Sequence, residues 1–594
     1  MSELCYRPVA RGRNWAISTR SALASQAGEI IFFRGGNAVD ATIASLAALG
    51  VVEPAMSGIG GELFMLVYDP EKKKVYSVNG GGTAPQRATI DFYKKMDFVS
   101  IPMDGVLSGV VPGAFDAWCV ALDCFGTMRL SQVLEPAIEL AENGFPASEE
   151  FVSVIKKNEL RLRSFESSRE LYFRKDGSFY DTGDNFRNRK LAGLYRKLAE
   201  KEENALRSGA DRQCAIKAAR DAFYKGEVAE KIVSFMQDKG GLFSLEDFAC
   251  YYALLEEPVH TSYRGYEIYK SPSANQGPAE LEILNMLENF DIRGQRSIHI
   301  CAEAVNLAMA DRERFLGDLN YIKSPLNGLL SKEYARHRAE LIDENRRLSA
   351  YDAGDPWGYE REPYAYSQKP YFLSDDMLEY RKEPDHEAEC SGSEKGHDLS
   401  GDMGLTSYAC ASDKSGLTIS ATPSNFSNFG SALVVEPFGF PMNDRASYFW
   451  LDEKQANSLQ PGKRPRNTIT PSMALKNGKP YLAYGTPGAD QQCQALSQIL
   501  VNIVDLGMSI QEAIDAPMWS SRSFPLSYGD HMTENGLIVI DERISEVADD
   551  LRKRGWRVEM AEPFSNNRAC IIRILEDCIE AAAMSTTEGS ALAW

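Results

Sequence analysis

The chain has 594 residues, 44% hydrophobic and 25% charged, the composition of a globular protein with a large buried core. Its formal net charge of −19 excludes non-specific nucleic-acid binding, which needs a basic surface. Residues 1–18 carry no apolar signal-type segment, and the longest apolar run, near 41–52, is too short to span a bilayer and reads as a buried helix. Eleven cysteines without a CxxC pair suggest reduced thiols in a cytoplasmic compartment. Six histidines in no ligand pattern make a zinc site unexpected, and no metal or cofactor is called for.

In chain order, residues 21–35 show helical periodicity that ends at glycine. Segments 62–69 and 74–79 read as strands joined by the polar turn PEKK. Helices are expected at 131–143, 194–210 and 225–239. Residues 351–404 are rich in Asp, Glu, Gly, Pro and Ser, and read as a mobile surface insertion or an exposed processing segment. The pattern then changes to strands. Residues 406–412 and 417–422, around the turn DKSG, form a hairpin that opens at Thr406. A strand at 480–485 and an apolar helix at 495–506 follow. This divides the chain into 1–350, a linker at 351–405, and 406–594.

Three features invite chemistry. SGIGG (57–61) lacks the GK[ST] of a phosphate loop and serves equally as a tight turn. TPGAD (486–490) offers backbone N–H groups for an oxyanion hole, or a glycine that only turns the chain. The third is the hydroxyl residue opening the hairpin. KRPRNTITP (463–471) reads as a polar site segment or as a solvated loop. No G-x-S-x-G elbow supplies a serine triad. A threonine freed at a chain terminus needs no histidine, because its own α-amine, with a pKa of roughly 8, accepts the hydroxyl proton.

Over nearly its whole length the chain resembles the γ-glutamyltransferase family. The resemblance rests on GGNAVDA (35–41), VVEP (51–54), SGIGGELF (57–64), VPGAFDAW (111–118), LSQVLEPAIELAENGF (130–145), PGKRP (461–465) and GTPGAD (485–490), in family order and spacing. It implies a four-layer αββα N-terminal nucleophile (Ntn) hydrolase fold, and a precursor that cleaves itself into a large and a small subunit. Aligning the hairpin places the nucleophile at Thr406, with Gly416, Phe429-Gly430 and Phe449 in register, so the cut falls between Leu405 and Thr406. Ser424 takes the place of the family's second catalytic threonine. The amides of Gly488 and Ala489 resemble the oxyanion hole, where the family usually has glycine at position 489.

The substrate-binding positions depart from the family pattern. Gly81 stands where the transferases have a carboxylate-binding arginine. Phe426 and Tyr448 replace an asparagine and an aspartate that hold the substrate amine, and Asn467 and Thr468 replace paired serines. Burying an ammonium without its carboxylate is costly, so γ-glutamyl compounds are expected to be poor substrates. SATPSN (420–425) and GTPGADQQ (485–492) are similar to the divergent, oxamate-amidohydrolase-like branch. Two stretches differ from that branch: Leu405 precedes Thr406, where aspartate is common, and AAAMSTTEG (581–589) replaces an ADPR-like run. The resemblance implies an amidohydrolase or acyltransferase acting on a small-molecule amide, with no nucleic-acid or membrane partner. A tailoring enzyme of specialised metabolism and an uncleaved, non-catalytic binding homologue are the alternatives.

Overall fold

The computed structural model describes residues 7–293, 297–372, 406–565 and 567–594. Two mostly antiparallel sheets are stacked, and each is covered on its outer face by helices. The eight-stranded sheet runs Gln368–Pro370, Leu254–Glu256, Lys74–Gly80, Glu62–Asp69, Thr418–Ser424, Ala409–Asp413, Trp15–Thr19 and Ser590–Ala593. The seven-stranded sheet runs Ala10–Gly12, Ile579–Ala583, Cys570–Ile574, Lys479–Gly485, Ser472–Lys476, Tyr266–Lys270 and Val259–Tyr263. Helices Ala22–Phe33, Ala38–Val52, Ala114–Phe125 and Leu130–Asn143 share one apolar core with the first sheet. Helices Gly277–Leu287, Ser297–Phe315 and Gln491–Val504 share another with the second. This is the four-layer αββα arrangement.

The apolar run near 41–52 is a helix because Asn37 and Asp40 form a capping box at its start, and all of its residues are buried. Asp40 also accepts bonds from the Thr127 and Met128 backbone, so one carboxylate fixes the helix entry and the following loop together. The expected helices at 131–143, 194–210 and 225–239 are Leu130–Asn143, Arg189–Arg207 and Glu227–Gln237.

Central strands here are buried on both faces, so they read as runs of small and apolar residues rather than alternating ones. Ala409–Asp413 pairs with Trp15–Thr19 on one side and Thr418–Ser424 on the other. Thr418–Ser424 pairs in turn with Glu62–Asp69, placing Ser424 opposite Glu62. The hairpin thus sits at the middle of a sheet built from both halves of the chain, and 1–350 and 406–594 interleave as one structure. Between the sheets, the Tyr408 ring lies on Gly485, where a Cβ would fall 2.1 Å from it, so only glycine fits there.

One expectation is corrected and one open alternative is resolved. Within 351–404, the described part is not all insertion: Pro356–Tyr359 is a 3-10 turn, and Gln368–Pro370 pairs with Leu254–Glu256 at the sheet edge. Backbone pairing at an edge asks little of side chains, so polar composition hides it. Residues 373–405, which include Leu405, lie outside the described residues. The segment 463–471 is not a solvated loop, because Lys463, Arg464 and Arg466 are all buried. Lys463 donates to the Ala456 and Ser458 carbonyls, Arg464 to the Gly81 and Tyr252 carbonyls, and Arg466 pairs with Glu313.

Candidate active site

Thr406 precedes the strand Ala409–Asp413, and the backbone bond from Ser407 N to Pro423 O (3.1 Å) carries the hairpin back to it. Its side chain is 3% exposed, and Oγ1 donates to Ser424 Oγ at 3.2 Å. Ser424 Oγ also accepts from Phe426 N at 2.9 Å, so its hydroxyl is oriented by the turn that follows it. The neighbouring Ser407 donates to Glu53 Oε2 at 2.8 Å, tying the hairpin start to the VVEP motif. Burial pushes the Glu53 carboxyl up to about 7. Arg20 lies 3.7 Å from Glu53 but makes its closer contact, 2.8 Å, with Glu150.

The second wall follows the strand Lys479–Gly485. Gly488 has φ of +129° and Ala489 has φ of +46°. Ala489 therefore adopts the left-handed conformation that glycine takes more easily. Among the described residues no acceptor lies on either amide N–H. A buried side-chain web holds this turn. Gln276 Nε2 donates to the Ala489 carbonyl (3.1 Å) and to the Thr468 carbonyl (2.8 Å). Arg312 donates to Gln276 Oε1 (3.0 Å) and pairs with Asp490. Asp490 is buried, which by itself raises a carboxyl pKa, yet Arg312 and the Ser527 bonds hold it below its ordinary value.

The third wall is aromatic. Phe426, Tyr448 and Ala489 form one buried cluster, edged by the half-buried Met103 and Tyr528. The Phe426 and Tyr448 rings meet edge to face, 4.5 Å between centres and 79° between planes. Phe426 has φ of +83°, a conformation asparagine tolerates better than a bulky residue. A strain of about 1–3 kcal/mol is usual for such a residue and is offset here by ring packing. Tyr448 shares a 2.7 Å hydroxyl bond with Thr468 Oγ1. Asn467 donates to Glu62 Oε1 at 3.1 Å.

Gly81 is buried, its N–H on Asn79 Oδ1 and its carbonyl accepting from Arg464 and Tyr251. A Cβ there would lie 3.0 Å from Asn79 Oδ1 and 3.3 Å from the Phe64 ring, so an arginine would need its neighbours to shift. The structure thus brings Thr406 to Ser424, Ala489 to Phe426 and Tyr448, and Thr468 to Tyr448. Leu405 falls outside the described residues. Sequence reasoning did not single out Gln276, Arg312, Glu62 or Arg445. Arg445 carried a usable signal, as a lone cation between apolar stretches in FPMNDRASYFW. Among the described residues no group of His, Cys, Asp and Glu has the arrangement to hold a metal ion, and no helix is long and apolar enough to cross a membrane.

Comparisons with known proteins agree with this architecture. The chain is 32% identical over 580 residues to the glutathione hydrolase-like YwrD proenzyme of Bacillus subtilis (strain 168), covering 96% of each chain. It is 30% identical over 612 residues to the acylase ACY 1 proenzyme of Pseudomonas sp. (strain SE83), covering 99% of this chain and 95% of that one. Among solved structures, the cephalosporin acylase of Bacillus halodurans superposes with a TM-score of 0.82 at 28% identity, covering 99% and 97% of the two chains. The family profile described as gamma-glutamyltranspeptidase matches residues 24–594. The chain is therefore a member of the gamma-glutamyltranspeptidase family of Ntn-hydrolase enzymes.

Proposed function

We propose that this enzyme is an autoprocessed amidohydrolase or acyltransferase that acts through an acyl-enzyme on Thr406 and does not use γ-glutamyl compounds as its main substrates. The observation that carries this reading is the Thr406 hydroxyl on Ser424 at the head of a central hairpin, with Phe426, two residues past Ser424, sharing a buried cluster with Ala489 of a turn whose Gly488 and Ala489 N–H groups meet no acceptor among the described residues. In maturation, Thr406 Oγ1 attacks the Leu405 carbonyl carbon, the peptide C–N bond breaks, and the new ester is hydrolysed by water, freeing the Thr406 α-amine. In turnover, that amine takes the hydroxyl proton as Oγ1 attacks the substrate amide, and passes it to the leaving amine. The Gly488 and Ala489 N–H groups stabilise the oxyanion. Water or an acceptor amine then cleaves the ester.

The proenzyme relatives support processing, and the acylases among them support an acyl group other than γ-glutamyl. Gly81, Phe426 and Tyr448 support the same exclusion, because each lacks the charge or amide expected of a γ-glutamyl site. The eleven cysteines form no CxxC pair, which fits a cytoplasmic location. Intact-mass analysis tests the core of the reading. Purified protein should give two chains that meet at the Leu405-Thr406 bond, and Thr406→Ala should give one chain and no turnover. An uncut wild-type chain that still hydrolyses amides would sink the mechanism. Efficient γ-glutamyl-p-nitroanilide hydrolysis would sink the substrate exclusion alone.

A further inference from the structure

Helices Gly277–Leu287, Ser297–Phe315 and Gln491–Val504 form, with the strand Trp519–Ser521, a cavity of about 160 Å³. It shares no lining residue with the Phe426 and Tyr448 cluster. Ile283, Leu287, Val305, Val501, Trp519 and Ile544 make most of its wall, and no lining residue is charged. Leu506, another lining residue, is 43% exposed, so the cavity opens to solvent on that side. Apolar cavities of about 150 Å³ take up benzene, so one six-membered ring matches the space.

The polar lining narrows the chemistry of the ligand. Gln494, Gln498 and Asn502 are spaced four apart on one helix face, but their amide N–H donors are already used. Gln494 Nε2 donates to the Ser521 carbonyl (3.3 Å), Gln498 Nε2 to that of Trp519 (2.9 Å) and Asn502 Nδ2 to that of Ala513 (3.3 Å). Gln494 and Gln498 also accept from the Ser521 and Trp519 N–H groups, at 2.8 and 3.2 Å. Ser497 donates to the Cys493 carbonyl at 2.8 Å. Burial pushes the Cys301 thiol up to about 12, with Asp505 adding to the rise, so it stays neutral. The Ser297 hydroxyl is left, buried without a partner among the described residues. Such a wall offers contact to a ring and one hydroxyl bond, and nothing to balance a charge.

The same wall reaches the candidate active site. Gln494 also lines the groove formed by Gly488, Ala489 and Tyr528, and its Nε2 lies 3.5 Å from the Asp490 carbonyl. Asp490 opens the helix Gln491–Val504 directly after the Gly488–Ala489 turn. We propose that this cavity is an effector site for a neutral, single-ring ligand with one hydrogen-bonding group, and that its occupancy is felt at the Gly488–Ala489 turn through Gln494 and the helix that follows. The site itself does not depend on the chemistry assigned to Thr406.

The test is calorimetric titration of the purified protein with phenol, toluene and benzoate. Phenol and toluene should bind at millimolar concentration, and benzoate, the same ring with a charge, should not. Cys301→Phe and Val501→Phe each fill the cavity and should abolish binding, with Tm and circular dichroism confirming the fold. Ser297→Ala, which adds no bulk, should weaken phenol by ~5-fold and leave toluene unchanged, the worth of one hydrogen bond. Hydrogen exchange over residues 488–494 reads the coupling without turnover, and saturating phenol should change it by ~5-fold or more in wild type and not in the filled variants. No uptake of phenol or toluene, or benzoate binding as well as phenol, overturns the site. Binding that leaves exchange at 488–494 unaltered overturns the coupling. A dimer that Leu506→Glu dissociates, with no phenol uptake, makes this surface an interface between copies and overturns the proposal too. Altered exchange with amide hydrolysis unchanged supports the effector site and counts instead against the oxyanion reading of the turn.

Discussion

The nucleophile end sits at the mouth of the hairpin Ala409–Asp413 and Thr418–Ser424, and the acyl end on the turn that follows it and the 3-10 turn Arg445–Tyr448, yet they are held by different physics. At the nucleophile end, short hydroxyl bonds and backbone turns set the geometry: Thr406 on Ser424, Ser424 on Phe426 N, and the turn at Gly488 and Ala489 pinned by Gln276. At the acyl end, ring packing and a half-used guanidinium do so: Phe426 against Tyr448, with Arg445 beside both. The first end must place atoms within tenths of an ångström, so it relies on directional bonds. The second must accept one acyl group and reject others, and it does so by shape and charge. Under the proposed function, the difference teaches that one framework keeps its chemistry while a few side chains reset the acyl group.

Substitutions can break this comparison in order of effect. The largest is expected at the Gly488–Ala489 turn, proposed above as the oxyanion hole, where φ of +129° at Gly488 leaves a side chain strained. Gly488→Val should lower kcat by about 10²–10³-fold, with cleavage into two chains followed by mass, since an oxyanion donor acts on the transition state. Next is Ser424→Ala, which removes the acceptor of the Thr406 hydroxyl and frees the Phe426 N–H. Roughly 10–100-fold in kcat, with KM little changed, is the expected loss. An equal loss of kcat/KM carried wholly by KM would show that Ser424 belongs with the acyl end instead.

The smallest effect concerns Glu53, behind the hairpin start. Its carboxyl is raised from 4.5 to about 7, by burial first, while Arg20 opposes the rise. Between those values the folded chain keeps a proton that the unfolded chain has released. Stability therefore falls as pH rises through that window, by up to about 3 kcal/mol from this group. Glu53→Gln should flatten the fall of Tm from pH 5 to pH 8. Glu256 and Glu303, also raised to about 7, would keep part of the slope. A slope unchanged in the variant would show that Glu53 is ionised throughout and paired with Arg20.

Much of this was legible in the sequence. The helices were readable because amphipathic or continuously apolar stretches with caps signal themselves over ten or more residues. The hairpin at Thr406 was readable from its turn, and the altered acyl positions from the resemblance. The edge strand Gln368–Pro370 was not, because its pairing rests on backbone groups that any polar sequence supplies. Nor was the burial of Lys463, Arg464 and Arg466, since cations go inside only where carbonyls and carboxylates from distant segments converge.

By itself the sequence determined the family, the layered fold and the hydroxyl at the head of the hairpin, because periodicity, turns and motif order are local or sequential properties. Only the tertiary structure decided that Gln276 ties the Gly488–Ala489 turn to Thr468, and that Arg445 has one nitrogen paired and two without an acceptor among the described residues, beside the Phe426 and Tyr448 rings. These depend on which groups of residues hundreds of positions apart come within bonding distance once the two sheets stack, and no local pattern encodes that.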